Sequence, residues 1–195
     1  MCLTEADAGT AVGDNRTRAT PTENDGEYLL SGEKIFITAG DHDLTDNIVH
    51  LVLARTPDAP EGIKGISLFA VPKFNFDADG NLGERNDVFV QGIEEKMGLH
   101  GSATCTLVLG GTGECKGWIL GEDGGGITIM FHLMNEARIG VGIQGLSAAA
   151  ACYNLALSYA KERIQGVDID KIRDANAPRI PIVEHPDVRR MLMWK

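Results

Sequence analysis

The sequence predicts an α+β protein with two parts. Residues 1–122 are expected to form an antiparallel β-barrel or sandwich, and residues 123–195 to form the first long helices of an incomplete α-helical bundle. Two observations lead to this fold class. Short β-branched and apolar runs, bounded by turn residues, fill the first part. After residue 126 a long run without proline follows, in which apolar residues recur at helical spacing.

The strand-like runs of the first part are bounded by glycine, proline, aspartate and asparagine clusters, and no long helical pattern separates them. This arrangement favours antiparallel pairing in a barrel or sandwich. The runs are residues 28–30, which lead through 31–34 into 35–38, and residues 47–55, 65–72, 104–109 and 117–120.

The second part begins with a helical pattern over residues 127–163, read either as one very long helix or as two with a break near residues 140–145. A polar segment containing Pro178 and Pro181 is expected to be a loop. A further helix should start at residues 185–187, with proline in its first turn. It reaches Lys195 in mid-pattern with uncovered apolar residues, so we expect more helices in the whole protein.

Charge and hydropathy bound the class of partner. Acidic residues outnumber basic ones 28 to 18, a net charge of −10, which disfavours binding to nucleic acid or to an anionic membrane surface. Residues 139–160 carry no charge over about the length of a membrane span. Their polar side chains and the flanking Arg138 and Lys161 favour a helix buried on most sides within a soluble bundle. No secretory signal pattern opens the chain, and a cytoplasmic location is expected.

The four cysteines, Cys2, Cys105, Cys115 and Cys152, have neither CxxC nor zinc-ligand spacing. They are expected to be free and mostly buried thiols, with a Cys105–Cys115 disulfide across a hairpin left open.

Three short motifs resemble known ligand sites without their context. Residues 140–145 match GxGxxG, but a charged helical pattern precedes them instead of a strand, which favours close helix packing over dinucleotide binding. Residues 75–86 partly match a calcium loop, but Asn86 stands where a bidentate glutamate is needed. Asp41, His42 and Asp43, with Asp46 and His50 nearby, are interpreted as solvated turn residues. We therefore expect no metal site.

Seven separated segments, in order, resemble motifs of the acyl-CoA dehydrogenase family. Residues 1–10 (MCLTEADAGT) resemble its flavin-side TEPxAGSD loop and residues 36–39 (FITA) its W-I-T-N segment. The other five are residues 95–102 (EKMGLHGS), 121–126 (GEDGGG), 136–138 (EAR), 159–163 (YAKER) and 185–186 (HP). The amino-acid sequences of several segments most resemble those of the methylmercaptopropionyl-CoA dehydrogenase-like subgroup. The resemblance covers nearly the whole chain, from the middle β domain to the start of the C-terminal helical domain.

The resemblance implies an oxidoreductase that converts an acyl-CoA thioester to the 2,3-enoyl-CoA. A base removes the α-proton, and the β-hydrogen leaves as hydride to N5 of FAD. Electron-transferring flavoprotein is the implied acceptor, and a homodimer or homotetramer the implied assembly of the whole protein. The family's catalytic glutamate would lie beyond Lys195, so no catalytic residue is assigned here, and this chain alone is expected to be inactive.

The resemblance also implies roles for residues of the β part in holding FAD. The flavin's polar edge would meet the segment that contains Met1, Leu3 and Thr4, and the pyrophosphate would meet Gly9 and Thr10. The isoalloxazine would lie beside Phe36, Ile37 and Thr38, with the Thr38 hydroxyl near N5. Strand alternation independently puts Phe36 and Thr38 on one face and Ile37 on the other. The alternative is an ordinary core strand in which Phe36 is packed and Thr38 is satisfied locally.

For the helical part, the resemblance implies that Asn135 and Arg138, three residues apart on one helix face, contact CoA together with Thr10. It implies that Arg163 reaches FAD, commonly that of a neighbouring subunit, and that His185 lies near the cofactor. The alternatives are a surface arginine at 138 and a solvated helix-end cation at 163.

Departures from the family pattern loosen any substrate assignment without breaking the flavin site. Ala6 replaces the common proline, Thr10 the serine, Phe36 the tryptophan and Ala39 the asparagine. Two functional alternatives therefore stay open. The first is an acyl-CoA oxidase or flavin monooxygenase of the same fold, and the second is a non-catalytic homologue that has lost FAD.

Overall fold

A computed structural model describes residues 1–194. The chain forms two compact units, Met1–Leu133 and Met134–Lys195. The first unit is a β structure, and the second is helical with one small hairpin. The strands of the first unit are β1 (Arg18–Pro21), β2 (Glu27–Thr38), β3 (Val49–Arg55), β4 (Ile66–Pro72), β5 (Phe74–Phe76), β6 (Leu82–Arg85), β7 (Val88–Ile93), β8 (Thr104–Leu109) and β9 (Cys115–Leu120).

The main sheet closes on itself, which confirms the predicted barrel. Its order is β1-β3-β4-β9-β2-β8-β7, and an additional β1–β2 pairing closes a ring of β1, β3, β4, β9 and β2. The first half of β2 pairs with β1 and β9, and its second half leaves the ring to pair with β8. The pairing is antiparallel except where β1 meets β3 in parallel at Arg18 and Arg55.

A β-bulge between Lys34 and Ile37 divides β2 at a point that matters for its faces. Side chains alternate along a regular strand, so Phe36 would share a face with Lys34. The bulge shifts this parity by one residue. Lys34 and Ile37 are consequently both buried, and Phe36 and Thr38 are both exposed. Phe36 takes a positive φ of 61°, an uncommon conformation for a bulky residue.

The barrel interior is a single apolar cluster drawn from β1–β4 and β7–β9. The fully buried ring of Phe69 packs edge-on against Tyr28 with 5.0 Å between ring centroids. Cys105 and Cys115 are free buried thiols, as is Cys2, whereas Cys152 is free and exposed. Because β2 lies between β8 and β9, the two cysteines do not face each other across a hairpin, and the disulfide alternative is wrong.

The long helix α1 (Gly126–Glu162) begins in the first unit and continues into the second. The Asp123 carboxylate accepts hydrogen bonds from the hydroxyls of Thr56 and Ser67, and Gly124 N–H donates to Ser67 Oγ at 2.8 Å. A Cβ at Gly126 would lie 2.5 Å from the Ser67 carbonyl carbon. Only glycine therefore allows the start of α1 to approach β4 this closely.

In the second unit α1 is followed by β10 (Ile164–Val167), β11 (Arg179–Pro181) and α2 (Pro186–Met193). Because α1 runs unbroken through residues 140–145, the single-helix prediction is confirmed, and no strand–loop–helix exists there to bind a dinucleotide. Ala160 is the only buried residue of the second unit within the described range. By length and composition α1 could cross a membrane, and its apolar window is wholly exposed within this chain rather than buried as expected.

The residues considered for metal binding lie in a turn, in ion pairs and in a strand. His50, expected to be a solvated turn residue, is instead buried in β3. Residues 77–80 form the turn of the β5–β6 hairpin, with Gly80 at φ 84°. The Asp41 carboxylate forms ion pairs with Lys73 and Arg85. Over residues 1–194 no group of three or more histidine, cysteine, aspartate or glutamate side chains is arranged to hold a metal ion.

Candidate functional site

The opening segment, residues 1–10, lies between β3 and β2. The Cys2 backbone exchanges hydrogen bonds with β3, donating to Leu51 O at 2.7 Å and accepting from Leu53 N–H at 3.1 Å. Two residues later, Thr4 O accepts from Ile35 N–H of β2 at 2.9 Å. Thr4 is thus held beside the residue that precedes Phe36. The sequence separates these segments by about thirty residues, and the fold brings them together.

A buried ion pair holds the opening segment against β2. Lys34 Nζ is fully buried and donates to Glu5 Oε1 at 2.8 Å and to Leu3 O at 3.3 Å. The Glu5 carboxylate also accepts from Arg16 N–H at 2.6 Å, Thr17 N–H at 3.1 Å and Thr17 Oγ1 at 2.6 Å. Every donor in this network is directed to the opening segment.

The pKa values of the pair reflect this environment. Burial acts to raise the pKa of Glu5, but hydrogen bonds from Lys34, Thr17 and Arg16 outweigh it and leave that pKa below its ordinary value. Burial lowers the pKa of Lys34, and the hydrogen bond and charge of Glu5 oppose that shift. The geometry is that of a buried, hydrogen-bonded lysine–glutamate pair.

The exposed side of this region carries groups suited to a flat ligand with a polar edge. Phe36 is 58% exposed, and the exposed Thr38 makes no side-chain hydrogen bond to another described residue. The backbone N–H groups of Leu3 and Thr4 likewise donate to no other residue in the described range. Phe36 and Thr38 are therefore not the packed, locally satisfied residues of an ordinary core strand.

The end of the opening segment turns sharply at Gly9. Gly9 N–H donates to Glu5 O at 2.8 Å, and Glu5 N–H donates to Gly9 O at 3.3 Å. Gly9 has a φ of 57°, which disfavours any larger residue, and no atom lies within 4 Å of where a Cβ would stand. Met1 and Thr10 at the two ends of the segment are exposed. The turn thus leaves open space in front of its backbone.

The predicted residues of the second unit fall into two groups. Asn135 and Arg138 lie on α1, and Arg163 and His185 follow it in the chain. Arg138 Nη1 donates to Asn135 Oδ1 at 3.2 Å, so these two side chains meet on α1 as expected. Arg163 is exposed directly after the end of α1, with its backbone held by Tyr159 O and Ile182 N–H at 2.8 Å each. Roughly 36 Å of helix separates Arg138 from that end. The His185 ring lies 2.7 Å from Gln165 O and supports the β10–β11 hairpin.

The sequence reasoning missed Lys34 and Glu5 as a linked pair. The signal was present in the alternation of β2, where Leu30 and Lys34 have the parity of one inward face. A lysine on an apolar face needs a buried acceptor, and Glu5 was available.

These groups can bind a planar molecule and hydrogen-bond its edge, but Phe36, Thr38 and the two amides are all neutral, and none can act as a base.

Comparison with known proteins identifies the family. Residues 1–111 match the family profile "Acyl-CoA dehydrogenase, middle domain". The broad-specificity linear acyl-CoA dehydrogenase FadE5 of Mycobacterium tuberculosis is 50% identical over 99% of this chain and 32% of its own length. The 3-methylmercaptopropionyl-CoA dehydrogenase of Ruegeria pomeroyi is 46% identical over the same shares. The chain thus spans about a third of the length of these curated relatives.

A solved structure agrees with both. Butyryl-CoA dehydrogenase from Megasphaera elsdenii superposes with a TM-score of 0.72 and 30% identity over 98% of this chain and 43% of that structure. The predicted resemblance, including that to the methylmercaptopropionyl-CoA dehydrogenase-like subgroup, is confirmed. Members of the matched family are FAD flavoproteins. The chain belongs to the acyl-CoA dehydrogenase family.

Proposed function

We propose that the chain is the flavin-side portion of an FAD-dependent acyl-CoA dehydrogenase. In this proposal the whole protein oxidises an acyl-CoA thioester to the 2,3-enoyl-CoA, and the catalytic glutamate lies outside these residues. The observation that carries the proposal is the outward face of β2 after its bulge. There Phe36 and Thr38 are exposed, and Ile35 N–H of the same strand donates to Thr4 O of the opening segment.

The residues of this face fit the cofactor. The exposed ring of Phe36 offers an apolar surface for the isoalloxazine, and the Thr38 hydroxyl offers a hydrogen bond near N5. The amides of Leu3 and Thr4 would donate to the flavin's polar edge, and Met1 would cover that edge. Ile37 supports the face from within. Bound there, FAD would supply the hydride acceptor for the reaction.

Charge placement explains why amide donors are useful on this face. Reduction places negative charge on the polar edge of the ring, and preorganised N–H groups stabilise charge at no reorganisation cost. At the other end of the segment, the positive φ of Gly9 and the open space before it would let the backbone approach the pyrophosphate, with Thr10 alongside.

For the substrate, we propose that Asn135, Arg138 and Thr10 contact the CoA moiety. The hydrogen bond from Arg138 to Asn135 orients the guanidinium, which suits an anionic or polar group of CoA. Arg163 follows the end of α1, and roughly 36 Å of helix separates it from Arg138, so the two arginines cannot contact one small group of the same chain. In line with the family resemblance, we propose that Arg163 reaches FAD bound by a neighbouring subunit in a homodimer or homotetramer.

The remaining partners follow from the same family. We propose electron-transferring flavoprotein as the acceptor and a cytoplasmic location. The exposed apolar window of α1 would then pack on further helices of the whole protein rather than cross a membrane.

Spectroscopy of the purified whole protein tests this proposal. We expect flavin absorbance that bleaches when butyryl-CoA is added without oxygen. Thr38→Val should weaken FAD binding about tenfold through one lost hydrogen bond. Thr20→Val, at another exposed strand threonine, should leave it unchanged. A protein without flavin, or with flavin that acyl-CoA does not bleach, would overturn the proposal. Rapid reoxidation by oxygen would favour the oxidase alternative for the acceptor.

A further inference from the structure

We propose that the buried Glu5–Lys34 pair is the positioning device of the flavin face: it sets where the amides of Leu3 and Thr4 lie relative to Phe36 and Thr38. This inference rests on the proposed function. It assigns roles to two residues that do not touch the ligand and act through those that do.

Two distant parts of the chain form the proposed flavin face. The two flanks of the flavin face come from segments far apart in sequence, residues 1–10 and the second half of β2. Their direct backbone link at this point is one hydrogen bond, from Ile35 N–H to Thr4 O at 2.9 Å. Two further backbone bonds hold Cys2 to β3, so the orientation of Leu3 and Glu5 relative to β2 depends on side-chain contacts.

Lys34 supplies these side-chain contacts from β2. Its ammonium reaches across the gap between the flanks and binds two points of the opening segment, the Leu3 carbonyl and the Glu5 carboxylate. With the Ile35–Thr4 bond, this makes three consecutive residues of the segment tied to two consecutive residues of β2. Leu3 O also accepts from Asn15 Nδ2 at 3.2 Å, so its carbonyl is held inward from two sides.

The buried pair also borders the bulge of β2. Lys34 is the last residue in regular register with β8 before the bulge, and Ile37 is the next one after it. Phe36 keeps its positive φ only if the neighbouring residues are firmly held, because the left-handed conformation is strained for a residue with a side chain. The buried pair holds the residue on the N-terminal side of that strain.

A contribution to stability is a weak explanation for such a pair. A lysine and a glutamate buried together are often no more stabilising than apolar residues of the same size. Here Lys34 of the pair binds the Leu3 carbonyl directly, and the other acceptor sites of Glu5 are filled by the Thr17 hydroxyl and by the backbone of residues 16–17. The network thus ties Glu5 to the residues directly before β1 as well as to Lys34 of β2.

Two variants and one control test the proposal in the whole protein, with FAD as the probe. Lys34→Met removes both bonds to the opening segment. Thr17→Val removes one hydrogen bond to Glu5 and keeps the ion pair. Asn86→Ala is the matched control, because Asn86 is another buried polar anchor of the same unit, bonded to Pro72 O and Lys116 O and not to residues 1–10.

We expect Lys34→Met to weaken FAD binding about tenfold and to make the midpoint potential of the bound flavin more negative, because misplaced amides stabilise the reduced ring less. Thr17→Val should shift both readouts in the same direction by less. Asn86→Ala should lower the urea midpoint without moving the potential of flavin that remains bound.

Three results would overturn the inference. The first is a Lys34→Met variant that binds FAD with wild-type affinity and potential, and the second is an Asn86→Ala variant that shifts the potential as far as Lys34→Met does. If Lys34→Met gives no folded protein, Thr17→Val decides alone, and unchanged affinity and potential would count against the pair. A wild-type protein that binds no FAD would instead overturn the proposed function itself, so the two failures are distinguishable.

Discussion

The two units of this chain carry their predicted site residues in different ways. In the β unit, Leu3, Thr4, Phe36 and Thr38 are held by a closed barrel, a buried ion pair and backbone bonds between distant segments. In the helical unit, Asn135, Arg138 and Arg163 stand on or beside one long helix, and Ala160 is the only described residue that is buried. Contacts within this chain therefore fix the geometry of the proposed flavin face, whereas this chain sets only the distances along the helix between the helical residues.

The largest expected contrast is in core packing. Phe69→Ala should destabilise the β unit by about 3–5 kcal/mol, because it empties a fully buried ring position. Leu146→Ala, at a largely exposed position of α1, should change the free energy of unfolding by about 0.5 kcal/mol or less. Urea denaturation of this chain measures both.

The destabilisation caused by the same two variants can also be compared in the whole protein. A cost for Leu146→Ala that rises toward that of Phe69→Ala would show that further helices cover this face. Equal costs in the isolated chain would contradict the difference drawn between the units.

Acid should destabilise the β unit through His50. Burial lowers the pKa of His50 from 6.5 to about 4, so the unfolded state binds one more proton between these values. The stability associated with neutral His50 is fully present above about pH 6.5 and is lost as pH falls through 4. The loss is about 3 kcal/mol, from a shift of roughly 2.5 pKa units.

The matched variant is His50→Phe, which keeps a ring and removes the titration. Its free energy of unfolding, measured by urea denaturation from pH 7 to pH 4, should fall less steeply than that of the wild type. Identical slopes for the two proteins would show that His50 is not the group responsible.

The smallest contrast compares two glycines. Gly9→Ala should destabilise the β unit by about 1–2 kcal/mol, since Gly9 has a φ of 57°. Gly140→Ala, inside an exposed helix, should stabilise α1 by about 0.5–1 kcal/mol. A Cβ at either position meets no atom within 4 Å, so the opposite signs come from the backbone alone. Thermal unfolding of the two variants checks this, and shifts of the same sign would contradict it.

The sequence predicted those elements whose composition is strong over several residues. The runs that became β2, β3, β4, β8 and β9, and the length of α1, were read from β-branched content and helical spacing. β1 was missed because it has four residues and ends in Pro21, and β7 because Gln91–Gly92 interrupts its apolar run. The short pairs β5–β6 and β10–β11 are largely exposed, so no apolar alternation marks them.

For the site, alternation correctly placed Phe36 and Thr38 on one face but could not say which face is outward. That depends on the bulge after Lys34, and a bulge at an aromatic residue with positive φ has no local sequence signal. The inward position of Lys34 could be read from the alternation of β2, but its partner could not, because Glu5 lies 29 residues away.

The central claim is that FAD lies on the outward face of β2 after its bulge, against the opening segment. A crystal structure of the whole protein with bound FAD tests it most directly. We predict the flavin ring beside Phe36, with its polar edge within about 3.2 Å of the Leu3 or Thr4 amide nitrogens and the Thr38 hydroxyl within hydrogen-bond distance of N5. A flavin bound elsewhere, with Phe36 and Thr38 facing solvent, would contradict the account.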